Sequence, residues 1–156
     1  MRRIAALAAL GAAIGAGLAA GSAKAEGPDF KASAMDVEKG LPFSQSVRVG
    51  PVVYLSGQIG NVPGTLDLAS GGMAGETRQA MENIRTALAA RGLGFDDVFK
   101  CTVMMADMSR WDEFNKVYVT YFKPGRYPAR SSFGANALAK GAQVELECWA
   151  YAGGSR

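Results

Sequence analysis

The chain has 156 residues and no histidine, with 17 lysines and arginines against 14 aspartates and glutamates. This length suits one domain with a single core. The lack of histidine excludes Ser-His-Asp and Cys-His catalysis and imidazole metal sites. Three cations (Arg2, Arg3 and Lys24) lie in the first 25 residues, which leaves 14 charges of each sign in the remainder. That balance, without a basic run, argues against a nucleic-acid partner.

Residues 1–25 have the pattern of a signal peptide. Arg2 and Arg3 form a positive region, Ile4–Gly21 is apolar, and Ala23-Lys24-Ala25 resembles a cleavage site. The alternative is an uncleaved membrane anchor, although four glycines make the apolar stretch weakly hydrophobic for a spanning helix. We therefore predict export to the periplasm or the exterior. The adjacent arginines also suit the twin-arginine route, but no Ser or Thr precedes them and no strongly apolar pair follows, which favours the Sec route. The mature chain is expected to begin at Glu26 and to have no stable membrane association after cleavage.

Three segments follow the predicted leader. Residues 26–40 are polar and without a clear period, which predicts an N-terminal arm or linker. Residues 41–152 are predicted to form the folded domain, and residues 153–156 a short tail. Within the domain, residues 46–49 and 52–55 flank a Gly-Pro turn and predict a β-hairpin.

Two amphipathic helices are predicted in the middle of the domain. After a glycine-rich loop over residues 60–75, the apolar spacing predicts a helix from about Ala74 to Arg91, with Gly92 as its left-handed C-terminal cap. A second helix is expected to begin near Ser109, whose side chain can cap it. Its apolar stripe comprises Trp111, Phe114, Tyr118 and Tyr121.

Three further strands complete the order ββαβαββ. They are predicted over Asp97–Ala106, Ala129–Gly134 and Gln143–Tyr151. This order predicts an α+β fold with one mixed sheet, and two helices can cover only one face of a sheet of this size.

The last strand alternates between two kinds of face. One face is small and apolar and suits a position under helices; it comprises Val144, Leu146, Cys148 and Ala150. The other mixes carboxylates with aromatic rings; it comprises Gln143, Glu145, Glu147, Trp149 and Tyr151. Because a purely solvated face would not carry these aromatics, the mixture indicates a partly wet interface with another subunit.

The two cysteines, Cys101 and Cys148, cannot form a structural zinc site alone. Each lies in an apolar strand-like stretch, where a small buried thiol is the common interpretation. In an oxidising compartment they could instead form a disulfide.

Polar residues at strand ends could carry chemistry. Arg130 follows Pro128 at the start of a strand, a rigid position that suits bidentate capture of a small carboxylate. From spacing alone, an ordinary surface or salt-bridged arginine is the more common interpretation of this position. Glu145 and Glu147 share a strand face about 7 Å apart, so one could act as a general base if partly buried, or both could be solvated. Ser56 has no histidine to activate it, and a hydrogen-bonding role suits it better.

Five short segments share a recognisable order and spacing: Pro42–Val47, Leu55–Gln58, Thr77–Ile84, Pro128–Ser131 and Val144–Glu147. The Pro-Ala-Arg-Ser and Glu-Leu-Glu motifs among them are the most specific. With this arrangement the chain resembles the RidA (YjgF) family over about residues 40–152. The resemblance implies a fold like the chorismate mutase of bacilli, in a homotrimer with active sites in the clefts between subunits.

The resemblance also implies an activity and its residues. The reaction is hydrolysis of 2-aminoacrylate-type enamino and imino acids to 2-oxo acids and ammonia, without a metal or organic cofactor. Arg130 would clamp the substrate carboxylate, and Glu145 would position or activate the attacking water. Substrate-binding roles are implied for Ser56, Gly57, Phe43, Asn115 and the backbone N–H of Ser132.

Two positions depart from the pattern of the family. Members with deaminase activity often carry Tyr in place of Phe43, and many carry Cys in place of Ser132. A different interpretation is a non-catalytic module in which the Arg130 pocket binds a 2-oxo acid or a related carboxylate. A chaperone-like or RNA-cleaving protein is a third, and the balanced charge and missing histidine argue against the nuclease.

Overall fold

The computed structural model describes residues 27–154, which contain ten β-strands and α-helices joined by turns and loops. In chain order they are β1 (Asp29–Lys31), α1 (Ala34–Glu38), β2 (Ser46–Val49), β3 (Val52–Leu55), β4 (Gln58–Ile59), α2 (Gly72–Ala89), β5 (Val98–Met105), α3 (Trp111–Tyr118), β6 (Ala129–Gly134) and β7 (Val144–Tyr151). The predicted signal peptide lies outside the described residues, so export stays a prediction. Within residues 27–154, no helix is long and apolar enough to cross a membrane.

The strands form a single sheet in the order β1-β2-β3-β7-β5-β6, and β4 pairs with β7 beyond the end of β3. Only the β5–β6 pair in this sheet of described residues is parallel. The prediction of an α+β fold with one mixed sheet is therefore confirmed, and so is the hairpin, which β2 and β3 form.

The segment expected to be an arm contains two regular elements. Strand β1 pairs with β2, and a capping box between Ser33 and Asp36 begins α1. Arg91 holds β1 in place, since its guanidinium pairs with the Asp29 carboxylate and donates to the Ser46 carbonyl at 3.1 Å. Neither element is long enough to show a period, so the sequence pattern did not indicate them.

Both predicted helices exist, with different starts. Helix α2 begins two residues before the predicted Ala74, after Gly71 in the left-handed region. Gly92 caps it as predicted, with a φ of 71°. The expected cap at Ser109 is wrong: the Asp107 carboxylate accepts from the Ser109 N–H at 2.9 Å, and a 3-10 turn precedes α3. A short carboxylate ahead of that turn reaches its free N–H groups, which the Ser109 side chain does not.

The core lies between one sheet face and the two longer helices. Fully buried side chains against this sheet face include Met81 and Ile84 from α2 and Phe114 from α3. Along β7, burial alternates as predicted, with Val144, Leu146, Cys148 and Ala150 all buried. The opposite face keeps Trp149 half-buried, with its ring 4.8 Å from that of Tyr54 on β3.

The cysteines form a disulfide, contrary to the favoured prediction of buried free thiols. Cys101 on β5 and Cys148 on β7 are directly opposed in the antiparallel register, with their Cα atoms 4.1 Å apart, and both are fully buried. Burial was expected for each residue separately, whereas their opposition depends on how β5 and β7 pair. A link between residues 47 positions apart contributes on the order of 4 kcal/mol by restricting the unfolded chain.

Candidate active site

Arg130 lies on the helix-covered face of the edge strand β6, beside α3. Its Nη1 donates to Asn115 Oδ1 at 2.8 Å, and its guanidinium carbon is 4.6 Å from the Trp111 ring centre and 4.7 Å from that of Tyr118. These contacts hold the guanidinium in one orientation, because a planar cation stacks favourably on aromatic faces. Helical spacing placed Trp111 and Tyr118 on the apolar stripe of the helix but did not indicate that their rings pack against Arg130.

A cavity of about 440 Å³ adjoins this arginine. Its lining residues are Asn115, Tyr118, Val119, Tyr127, Pro128 and Arg130. Among the described residues, nothing hydrogen-bonds to the buried hydroxyl of Tyr118. Burial raises the pKa of Tyr118 to about 12, against the opposing effect of the Arg130 charge, so the hydroxyl stays neutral beside the cation. The cavity therefore offers one fixed positive charge, as a carboxylate ligand requires.

Glu145 lies on the opposite face of the sheet, on β7 between two neighbouring strands. Its register partners are Ile59 on β4 and Met104 on β5, both apolar. Burial raises the pKa of the Glu145 carboxyl above its usual range, and the like charge of Glu147 raises it further. A carboxylate in such surroundings is a stronger base than a solvated one.

The backbone at Gly57 lies directly against this carboxylate. A Cβ at Gly57 would overlap Oε1 of Glu145 and lie 3.0 Å from its carboxyl carbon. The neighbouring Ser56 hydroxyl donates to the Ser44 carbonyl at 2.7 Å, which leaves its oxygen lone pairs for another donor. A side chain at position 57 would therefore displace the Glu145 carboxylate from this position.

A second cavity, of about 400 Å³, adjoins Glu145. Among the residues predicted for the site, Ser56, Gly57, Phe43 and Glu145 line it. The other lining residues were not predicted for the site from the sequence. They are Met35, Asp36, Leu41, Gln58, Ile59, Asn61, Leu66, Ala139 and Lys140. Most of them come from short elements or loops, for which the sequence carries no periodic signal.

The structure thus groups the predicted residues into two sets. Arg130, Asn115 and Ser132 lie on the helix-covered side of β6 and α3, since Arg130 and Ser132 are register partners of the buried Cys101 and Val103. The cavity beside Glu145 belongs to the other face, and β5 separates β6 from β7. A single small ligand cannot contact both sets within one chain. In residues 27–154 no group of three or more Cys, Asp or Glu side chains is arranged to hold a metal ion.

Comparisons with known proteins identify the family of this chain. The profile of the family described as Endoribonuclease L-PSP matches residues 34–152. A Homo sapiens protein named 2-iminobutanoate/2-iminopropanoate deaminase is 42% identical over 112 residues, 72% of this chain and 81% of its own. The crystal structure of RidA from the Antarctic bacterium Psychrobacter sp. is 38% identical over 70% of this chain and 88% of that one, with a TM-score of 0.67. A Rid-family protein from Yersinia pestis is 36% identical over 71% of this chain and 88% of that one, with a TM-score of 0.68. The fold, the motif order and these matches agree, and the chain belongs to the RidA (YjgF) family.

Proposed function

We propose that this protein is a hydrolase that converts 2-enamino and 2-imino acids of the 2-aminoacrylate type to 2-oxo acids and ammonia. The observation that carries the proposal is the Glu145 carboxylate, half-buried beside a cavity and pressed against the Gly57 backbone, with its pKa raised by burial. Such a group is suited to accept a proton from water. The name of the human relative supports the same substrate class.

The proposed reaction needs one carboxylate clamp and one base. The guanidinium of Arg130, held by Asn115 and the aromatic rings, binds the substrate carboxylate. Glu145 accepts a proton from water as the water oxygen adds to the C=N carbon, and returns a proton to nitrogen. The hydroxyl proton of this adduct then passes to nitrogen, the C–N bond breaks, and ammonia leaves as the C=O bond forms. An enamine substrate first takes a proton on carbon and loses one from nitrogen to become the imine.

The site is proposed to form between subunits of a homotrimer. Arg130 and Glu145 lie on opposite faces of the sheet, so a substrate that contacts both needs Arg130 from one copy and Glu145 from the next. The mixed face of β7 supports this assembly. Trp149 donates to Glu147 at 2.7 Å there, beside the half-exposed Phe99 and Tyr151, a combination typical of an interface between copies.

The second candidate function is a non-catalytic module that binds small carboxylates. The observation in its favour is that a single chain supplies the lining of the Arg130 cavity, and Glu145 is not part of that lining. Both functions need the arginine, so loss of binding in an Arg130 variant does not distinguish them. Catalysis of ammonia release does.

The deciding experiment measures ammonia release from freshly generated 2-iminopropanoate and 2-iminobutanoate against uncatalysed hydrolysis. We expect the wild type to accelerate both. Arg130→Ala should lose affinity and turnover by at least roughly tenfold, and Arg130→Lys should recover only part, since an ammonium lacks the planar fork. A wild type that binds 2-oxo acids yet never accelerates the hydrolysis would select the binding module.

Gly57→Ala should displace the Glu145 carboxylate, because the added methyl overlaps it. We expect turnover to fall by on the order of tenfold or more, since shifts of about 1 Å at a catalytic group are costly. Gly94→Ala is the matched control, as its methyl meets nothing within 4 Å. Thermal melting confirms that both variants fold. Wild-type turnover in Gly57→Ala would contradict the role of Glu145.

Export is proposed as the setting of this activity. The buried Cys101–Cys148 disulfide supports it, because such bonds persist mainly in oxidising compartments. Fractionation and intact-mass measurement should find a chain that begins at Glu26 in the exported fraction, with its cysteines oxidised. Full-length, reduced protein in the cytoplasm would overturn the proposal.

A further inference from the structure

The cavity beside Glu145 has a predominantly hydrocarbon wall. Five apolar side chains from separate parts of the chain line it: Met35, Leu41, Phe43, Ile59 and Leu66. Phe43 is 50% exposed and Leu66 38% exposed in the single chain. Covering exposed hydrocarbon of this kind, here beside the Glu145 carboxylate, with an apolar group is favourable in free energy.

The size of the cavity exceeds the needs of the smallest imino acids. Its volume is about 400 Å³, within the range of about 300–1,000 Å³ found for pockets that hold drug-sized ligands. The imino acids derived from alanine and 2-aminobutanoate carry only a methyl or an ethyl side chain. Once water is bound near Glu145, such groups leave most of the apolar wall uncovered.

Helix α1 holds part of this wall in a fixed position. The Ser33 N–H donates to the Asp36 carboxylate at 2.8 Å, and the Asp36 N–H donates to the Ser33 hydroxyl at 3.0 Å. This capping box fixes the first turn. Met35 lies in that turn and faces the cavity, whereas Val37 on the same helix is 72% exposed and outside the lining.

We propose that this apolar wall is a side-chain subsite that makes the protein selective for 2-imino acids with long apolar side chains. The proposal rests on the proposed deaminase function and specifies its substrate class. The substrate carboxylate lies on Arg130 and the C=N carbon beside Glu145. The side chain then extends over Met35, Leu41 and Leu66, where each added methylene is removed from water.

The test uses a linear series of imino acids generated by an amino-acid oxidase from alanine, 2-aminobutanoate, norvaline and norleucine. The catalytic efficiency kcat/KM for each, relative to its uncatalysed hydrolysis, is measured with the full mature chain. We expect kcat/KM to rise about fourfold per methylene, the usual value for burying one such group. Met35→Ala and Leu41→Ala should flatten this rise, because they should lower kcat/KM more for the norleucine-derived imino acid than for 2-iminopropanoate, whose methyl group gains little from the wall. Val37→Ala is the matched control and should keep the wild-type slope.

The outcomes separate the two proposals. Hydrolysis with a flat or falling dependence on chain length overturns the subsite and leaves the deaminase function standing. Equal losses on all four substrates in Met35→Ala and Leu41→Ala also overturn it, because those losses indicate a general structural role. No acceleration of any imino acid overturns the deaminase function, and the subsite with it.

Discussion

Replacing Glu145 by glutamine is expected to lower turnover by on the order of 10²-fold or more, the usual contribution of a general base. Affinity for a 2-oxo acid stays within a few-fold of the wild type, because Arg130 and its cavity lie on the other face of the sheet and remain intact. Glutamine fills the same space against Gly57 but cannot accept the proton from water. Steady-state kinetics on freshly generated imino acids and calorimetric titration with 2-oxo acids measure the two quantities. Wild-type turnover in this variant would refute the role of Glu145.

The pH dependence tests the same group in the wild type. Burial and then the charge of Glu147 raise the pKa of Glu145, and the base must be ionised to work. We therefore expect activity above this pKa and a loss of activity as the pH falls through it. The loss should occur at a higher pH than for a glutamate with an ordinary pKa. Glu147→Gln removes the second cause but keeps an oxygen acceptor for the Trp149 N–H. Glu147→Gln should therefore shift the acidic limb of the pH–activity profile to lower pH and leave the maximal activity unchanged.

Co-expressing two inactive variants should restore activity, which is the second large effect. Arg130→Ala lacks the clamp and Glu145→Gln lacks the base, so each alone is expected to be nearly inactive. If a site takes Arg130 from one copy and Glu145 from another, chains assembled at random in equal amounts give intact sites in about a quarter of cases. Co-expression with two different tags and purification through both enriches the mixed assemblies.

The controls for this experiment are internal. Variants that are expressed separately and mixed without subunit exchange should stay inactive, as should Arg130→Ala co-expressed with the double variant. If each site took both residues from one chain, every site would lack either Arg130 or Glu145, and co-expression would restore no activity. That result would contradict the intersubunit site. Light scattering under the same conditions checks the trimer, and a monomer at micromolar concentration would count against it.

Local patterns predicted much of this fold correctly. The alternation along β7 identified the buried face with Val144 and Leu146, and helical spacing identified α2 together with its Gly92 cap. Such features depend on contacts within one element, so a single stretch of sequence is enough to show them. The order of the motifs around Arg130 and Glu145 was sufficient to indicate the family, which the comparisons confirm.

The short elements could not be predicted in this way. Strand β1 and helix α1 span three and five residues, too few for a period to show. Arg91 at the end of α2 holds β1, and this contact joins residues 62 positions apart. As a result Met35 and Leu41, which line the cavity beside Glu145, were not recognised beforehand.

Residue types alone indicated a candidate carboxylate clamp, a candidate base and two cysteines in apolar strands, because such properties belong to each residue and its neighbours in the chain. The spatial relations among these groups needed the paired sheet. The register of β5 against β7 opposes Cys101 to Cys148 and makes the disulfide, and the parallel β5–β6 register turns Arg130 toward α3. The same registers turn Glu145 to the other face, so the two candidate residues lie on opposite sides of the sheet within one chain. Strand pairing joins residues far apart in sequence, and shifting it by one residue reverses every side chain, so no local pattern could have determined it.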